Sequence, residues 1–286
     1  MKIMGIVNAG PDSFSDEQRP GSLAELESAA RALVEQGADI VDVGGESGVT
    51  YTDVTPPEVE IERVVPLVRA LAAQGIVVSV DTWKAPVAAA ALEAGASIIN
   101  DVSGLRDPEL AGLVAGTGAR LVVMHTRAEP KERRFPDYGG DVVGDVVGFL
   151  EERCELARAR GVADSQLILD PGPDFAKSPQ ETVEALQAID RLRALHLPWL
   201  AAVSRKYFLG AITGREPADR LAATLAAVGW AADAGAAIVR VHDVAAVSDY
   251  LAVRAVLAGE AQMPAYDDGD ERLMWIRQDR GVGSDA

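Results

Sequence analysis

The chain has a single cysteine, Cys154, and that scarcity removes two possibilities at once. No internal disulfide can form, and a cysteine-rich metal cluster is excluded. Cys154 sits in the helical pattern Glu151-Glu-Arg-Cys-Glu-Leu-Ala157 with no histidine nearby, so it reads as a structural thiol rather than a nucleophile. Aromatic residues are also few, at 5%, while Ala, Val and Leu abound, the composition of a helix-rich α/β protein with short branched strands. No apolar run approaches the roughly 18 residues that a membrane span needs. The amino-terminal segment Lys2–Asn8 lacks the layout of a secretory leader, and a cytoplasmic location is expected. Positive charge is scarce as well: 27 Lys and Arg face 44 Asp and Glu, a net charge of −17. A nucleic-acid-binding surface would need clustered cations, so that role is not expected. The acidity keeps the protein soluble and leaves the substrate open, because a small anion needs only a locally positive pocket.

What the 286 residues do have is ample apolar material, 48%, and a repeating layout. Short apolar runs occur at Ile3–Asn8, Asp39–Gly45, Ile76–Thr82, Ser97–Ser103, Arg120–Thr126, Leu167–Gly172, Trp199–Ser204 and Ala237–Asp243. Each is nearly continuous rather than alternating, as expected of strands buried on both faces. Amphipathic stretches separate them, among them Leu23–Gln36, Pro57–Gln74, Ala85–Ala94, Val142–Arg160, Pro179–Leu195 and Pro217–Ala234. Gly-Ala joints at Gly37, Gly95 and Gly235 mark helix ends, and Ser178-Pro179 a helix start. Alternation of eight strands with helices predicts a (β/α)8 barrel over residues 1–259. A doubly wound open sheet competes, but the first strand ends in Asn8-Ala-Gly-Pro-Asp12 without a dinucleotide fingerprint. Residues 260–286 are polar and read as a surface tail, with Trp275 of Leu273–Ile276 placed to dock on a neighbouring surface.

Barrel enzymes draw their chemistry from the carboxyl ends of strands. The runs end in Asn8, Glu46 and Ser47, Asp81 and Thr82, Asn100 and Asp101, His125 and Thr126, Asp170, Ser204-Arg-Lys206, and Arg240 with His242 and Asp243. Singly, each has a structural alternative: an Asp after a strand often caps a helix, and a lone His is often a hydrogen-bonded core residue. Together they form a pattern. Asp81, Asn100 and Asp170 suit the edge of a flat amino-pyrimidinone ring. Lys206, Arg240 and His242 supply donors and positive charge for phosphate oxygens. Asn8 offers one oxygen to Mg²⁺, an ion that usually takes few protein ligands.

These residues lie in segments that resemble the dihydropteroate synthase family. The segments are Gly5-Ile-Val-Asn8 with Pro11-Asp-Ser-Phe-Ser-Asp16, Asp42-Val-Gly-Gly-Glu-Ser47, Ser79-Val-Asp-Thr82, Ile98-Ile-Asn-Asp101, Leu169-Asp-Pro-Gly172, Ser204-Arg-Lys206 and Arg240-Val-His-Asp243. The resemblance implies condensation of a dihydropterin diphosphate with p-aminobenzoate, releasing pyrophosphate and giving dihydropteroate. It implies that Asp81, Asn100, Met124, Asp170 and Lys206 hold the pterin. Asn8, Arg240 and His242 would hold the pyrophosphate, Asn8 would bind Mg²⁺, and Phe175 and Tyr207 would wall the arylamine pocket. Catalysis would fall to Lys206, Arg240, His242 and Asp81. A homodimer is implied too.

Some loops depart from the family pattern. Gly48 and Val49 stand where Thr and Arg are usual, and Asp174 and Ala176 flank Phe175 where the family has Gly. Tyr207 replaces a small residue after Lys206, and Asp174 is expected to bring negative charge beside Phe175, disfavouring a carboxylate-bearing amine. A second reading follows from these loops: a paralogue that binds the pterin but uses another arylamine or lacks synthase activity.

Overall fold

The computed structural model describes residues 1–10, 22–46, 53–132 and 134–265. Eight parallel strands make one sheet: β1 Lys2–Asn8, β2 Ile40–Gly44, β3 Val78–Asp81, β4 Ile98–Asp101, β5 Arg120–Met124, β6 Leu167–Asp170, β7 Leu200–Ala201 and β8 Ile238–Val241. Their order, β6-β5-β4-β3-β2-β1-β8-β7, brings the last two edges together. There a single bridge pairs Leu169 with Trp199, and the Leu169 N–H donates to Pro198 O at 2.9 Å. The expected barrel is present, closed by a narrow seam. Pro198 gives that seam an acceptor but has no N–H to add, and β7 is far shorter than the apolar run Trp199–Ser204.

The helices are α1 Leu23–Glu35, α2 Pro57–Ala73, α3 Ala85–Glu93, α4 Glu109–Ala115, α5 Val142–Ala159, α6 Pro179–Gln187, α7 Ile189–Arg193, α8 Tyr207–Thr213, α9 Leu221–Asp233 and α10 Val244–Leu257. Two expected helices differ. The stretch Pro179–Leu195 breaks at Ala188 into α6 and α7, and Pro217–Asp219 forms a separate tight turn before α9. The three Gly-Ala joints do take positive φ, at 105°, 109° and 79°. Ser22 and Ser178 cap α1 and α6, each in a reciprocal pair with the Glu three residues on.

Period-two alternation divides every strand between two cores. Val41, Val43, Val80, Ile99, Leu121, Val123, Leu169 and Val241 face the helices. Met4, Ile40, Ile98, Val122, Ile168, Leu200 and Ile238 fill the inside of the barrel. Two residues further along β2, β4, β6 and β8 the inward positions become polar: Asp42, Asn100, Asp170 and Arg240. The barrel is thus greasy at its base and charged at its carboxyl mouth. Cys154 is buried on α5 with its thiol pushed up to about 11 by burial, as suits a structural residue.

The chain divides into two compact units, Met1–Leu251 and Ala252–Ala286, and the first holds the whole sheet. Trp275 and the rest of 266–286 lie outside the described residues, as do Pro11–Asp16, Ser47, Gly48 and Val49.

Candidate active site

A cleft of about 860 Å³ opens at the carboxyl ends of the strands. Asn8, Asp81, Asn100, Met124, Asp170, Phe175, Lys206, Tyr207, Arg240 and His242 all line it. Every residue that the sequence nominated for the site therefore meets in one cavity.

Its floor is a charge network centred on Arg240. The guanidinium donates through Nε to Asp42 Oδ2 at 2.6 Å and through Nη2 to Asp81 Oδ2 at 2.8 Å. Asn100 Nδ2 adds a third bond to Asp42 Oδ2 at 3.2 Å. Burial, reinforced by the neighbouring Asp42, outweighs Arg240 and raises Asp81 to about 7. Burial also raises Asp170, against the Gly172 N–H that bonds its Oδ1 at 2.7 Å. Both inward carboxylates hold a proton more readily than a free aspartate, and a protonated one can face a neutral ring as a donor as well as an acceptor.

The cations stand above this floor. Burial lowers Lys206, whose Nζ lies 4.4 Å from the centre of the Phe175 ring. His242 is held down to about 4 by burial and by Arg240 and Arg205. Ser204 Oγ accepts the His242 backbone N–H at 3.2 Å and sits 3.0 Å from Nδ1. A hydroxyl proton directed at Nδ1 would leave the neutral imidazole's own proton on Nε2. Held down in this way, His242 serves more readily as an N–H donor than as a positive charge.

Other strand-end residues turn away from the cleft. His125 is fully buried against Phe149, bonded through Nε2 to Asp145 at 2.9 Å, and burial lowers it to about 4. Asp101 accepts the N–H groups of Ser103 and Leu105 at 2.8 and 2.6 Å, shaping its own loop. Asp243 grips Arg205 through both oxygens. These are structural roles of the kind that a strand-end Asp or His often has.

The Asp174 expectation also changes. Its carboxylate receives the backbone N–H groups of Tyr207 and Phe208, at the start of α8, and the Thr182 hydroxyl. The charge is met by donors rather than presented bare to a ligand.

Three features of the site escaped the sequence reading. Asp42 was seen only as part of a motif, although a carboxylate two residues beyond Ile40 on the inward face was the available signal. A buried cluster joins Lys84 Nζ to Glu46 and Glu60, both at 2.5 Å, and to Thr55 O at 2.7 Å. It ties the ends of β2 and β3 to α2. Lys177 is 1% exposed and donates to the carbonyls of Gly172 and Phe175 at 2.9 and 3.2 Å.

Comparison with known proteins decides the kinship. The family model described as pterin binding enzyme matches residues 4–242. A dihydropteroate synthase of Mycobacterium leprae is 44% identical over 262 residues, which cover 88% of this chain and 92% of that protein. The chain belongs to the dihydropteroate synthase family of pterin-binding enzymes.

A probable bifunctional folylpolyglutamate synthase/dihydropteroate synthase of Haloferax volcanii is 47% identical over 88% of this chain, which spans 30% of that longer protein. Among solved dihydropteroate synthases, that of Xanthomonas albilineans with 4-aminobenzoic acid superposes with a TM-score of 0.84 at 42% identity, covering 92% of this chain and 94% of that one. The same enzyme with 7,8-dihydropteroate gives 0.80 at 41% identity and the same coverage. The family's barrel accounts for the eight-stranded sheet.

Proposed function

We propose that the cleft condenses 6-hydroxymethyl-7,8-dihydropterin diphosphate with p-aminobenzoate, giving 7,8-dihydropteroate and pyrophosphate. The observation that carries this reading is the convergence of ten separately nominated residues, from seven strand ends and their loops, on one cavity. Kinship at this level favours synthase activity over the paralogue reading.

In this reading Asn100, Asp170 and Asp81 run along the amino-pyrimidinone edge of the pterin, with Met124 packed beneath and Lys206 beside the ring. The C–O bond to the diphosphate breaks and its electron pair leaves with pyrophosphate. A carbocation-like methylene, stabilised by the electron-rich ring, is then met by the arylamine nitrogen. Arg240 has three N–H groups beyond those given to Asp42 and Asp81, and the Nε2–H of His242 points the same chemistry at the departing oxygens. A neutral aromatic amine is a competent nucleophile, so no strong base is required. After the C–N bond forms, the nitrogen sheds its proton to water. Holding the amine near the methylene is the remaining task, assigned to the walls Phe175 and Tyr207.

Mg²⁺ belongs to this proposal. No cluster of three or more His, Cys, Asp or Glu fit to hold a metal occurs among the described residues. Asn8, exposed at the end of β1, gives one amide oxygen, which fits an octahedral ion completed by phosphate oxygens and water. Bound there, the ion would neutralise leaving-group charge. A cytoplasmic location and a homodimer are likewise proposed from the family resemblance. No helix among the described residues is long and apolar enough to cross a membrane.

A coupled pyrophosphate assay with the diphosphate, Mg²⁺ and p-aminobenzoate tests the reaction. Lys206→Ala is expected to lower kcat/KM by about a hundredfold or more, the scale of one lost transition-state contact in a dry site. Full activity in that variant removes Lys206 from the mechanism, and no pyrophosphate release by the unaltered protein sinks the reading.

A further inference from the structure

The loop Pro171–Lys177 between β6 and α6 alternates into left-handed backbone at Gly172, Asp174 and Ala176, with φ of 62°, 66° and 54°. Gly172 has no choice, since a Cβ there would stand 2.1 Å from His125 O. Asp174 and Ala176 are not glycine, and a left-handed residue with a side chain carries strain. An aspartate can offset that strain by hydrogen bonding, and Asp174 does so at long range. One oxygen faces the N–H of Tyr207, and the other lies 3.2 Å from the N–H of Phe208 and 3.4 Å from Thr182 Oγ1. Its own N–H donates back to Thr182 Oγ1 at 3.1 Å.

The neighbours of these contacts give them meaning. Phe175 follows Asp174 directly, and Lys206 directly precedes Tyr207. Lys206 Nζ then lies over the Phe175 ring at 4.4 Å. The contacts close a circuit: Asp174 carboxylate to Tyr207, through Lys206 to the Phe175 ring, and back along the chain to Asp174. Lys177 braces it from within by bonding Gly172 O and Phe175 O.

We propose that Asp174 is a positioning residue for the arylamine side of the cleft, fixing Phe175 and Lys206 relative to each other by holding the first turn of α8. The proposal rests on the functional reading above and adds to it. A break in the circuit frees the Phe175 wall, while the pterin floor on β2, β3, β4, β6 and β8 stays in place and the Lys206 carbonyl keeps its bond from Arg220 Nη1 at 3.1 Å.

The test is steady-state kinetics on the full chain with 4-aminobenzoate varied at saturating pterin diphosphate, plus pterin affinity by calorimetry. Asp174→Gly removes the carboxylate and relieves the backbone, so the fold is not put at risk. It is expected to raise the KM for 4-aminobenzoate about tenfold, the effect of losing one or two charge-assisted bonds. Pterin affinity should stay within about twofold and kcat within about threefold. Asp174→Asn keeps an acceptor oxygen and tolerates left-handed backbone, and should restore most of the loss. An unchanged KM in the Gly variant overturns the proposal, as does an equal loss of pterin affinity, which would mark a general structural role. Absence of turnover in the unaltered protein would instead count against the functional reading itself.

Discussion

At the scale of single residues, the cleft is governed by carboxylates in unequal company. Asp42 is wholly buried and bonded to Arg240 and Asn100, whereas Asp81 shares Arg240 while lying beside Asp42. Burial then lifts Asp81 from 3.8 to about 7. A carboxyl whose folded value exceeds its unfolded one binds its proton more tightly in the folded state, so stability falls as pH rises from about 4 to 7. Asp81→Asn removes that loss. The variant is expected to match the unaltered protein near pH 4 and to exceed it by at most a few kcal/mol above pH 7, while its turnover collapses. Urea denaturation across that pH range checks it, and a pH-independent difference would contradict the assignment. Asp81, Asn100 and Asp170 were legible because each ends an apolar run. Asp42 was passed over because it interrupts a run, and its partners Asn100 and Arg240 lie 58 and 198 residues away.

At the scale of elements, local patterning carried most of the structure. Helices with serine caps or glycine ends stand where their punctuation put them, as α1 and α6 show. α8 carried no such signal. It is 7 residues long, its N-cap is Lys206, and its capping carboxylate comes from Asp174, 33 residues earlier in the chain. A helix capped from a distance leaves no mark in its own sequence. The loop that supplies the cap depends in turn on Gly172. Gly172→Ala would force a Cβ against His125 O and into a left-handed φ of 62°, which is expected to cost about 2 kcal/mol or more. Chemical denaturation reads that loss directly, and a change within about 0.5 kcal/mol would show that the loop yields without cost.

At the scale of the molecule, eight apolar runs and their spacing were enough to anticipate the barrel, because parallel strands buried on both faces leave a continuous apolar record. The register could not be anticipated, since nearly every residue of such a strand is apolar. Nor could the uneven closure, which depends on how many backbone groups face each other across two remote strands. Net charge, at −17, gave no hint of a cleft holding Lys206 and Arg240, because the cations there are local and Arg240 is already matched by Asp42 and Asp81.

The narrow closure between β6 and β7 bears on how the molecule breathes. Seven of the strand junctions are ladders, whereas this one rests on a single bridge and the bond from Leu169 to Pro198. Opening there needs the fewest bonds broken and turns the cylinder into a twisted open sheet without disturbing the other pairings. Deuterium uptake followed by NMR is expected to label the amide of Leu169 well before those of Val41, Val43 and Val80 in the opposite wall. Equal protection in all four would show that the cylinder opens only as a whole. Opening at this join would part the loops after β6 and β7 that carry Phe175 and Lys206, the two sides of the rim through which a bulky product would leave.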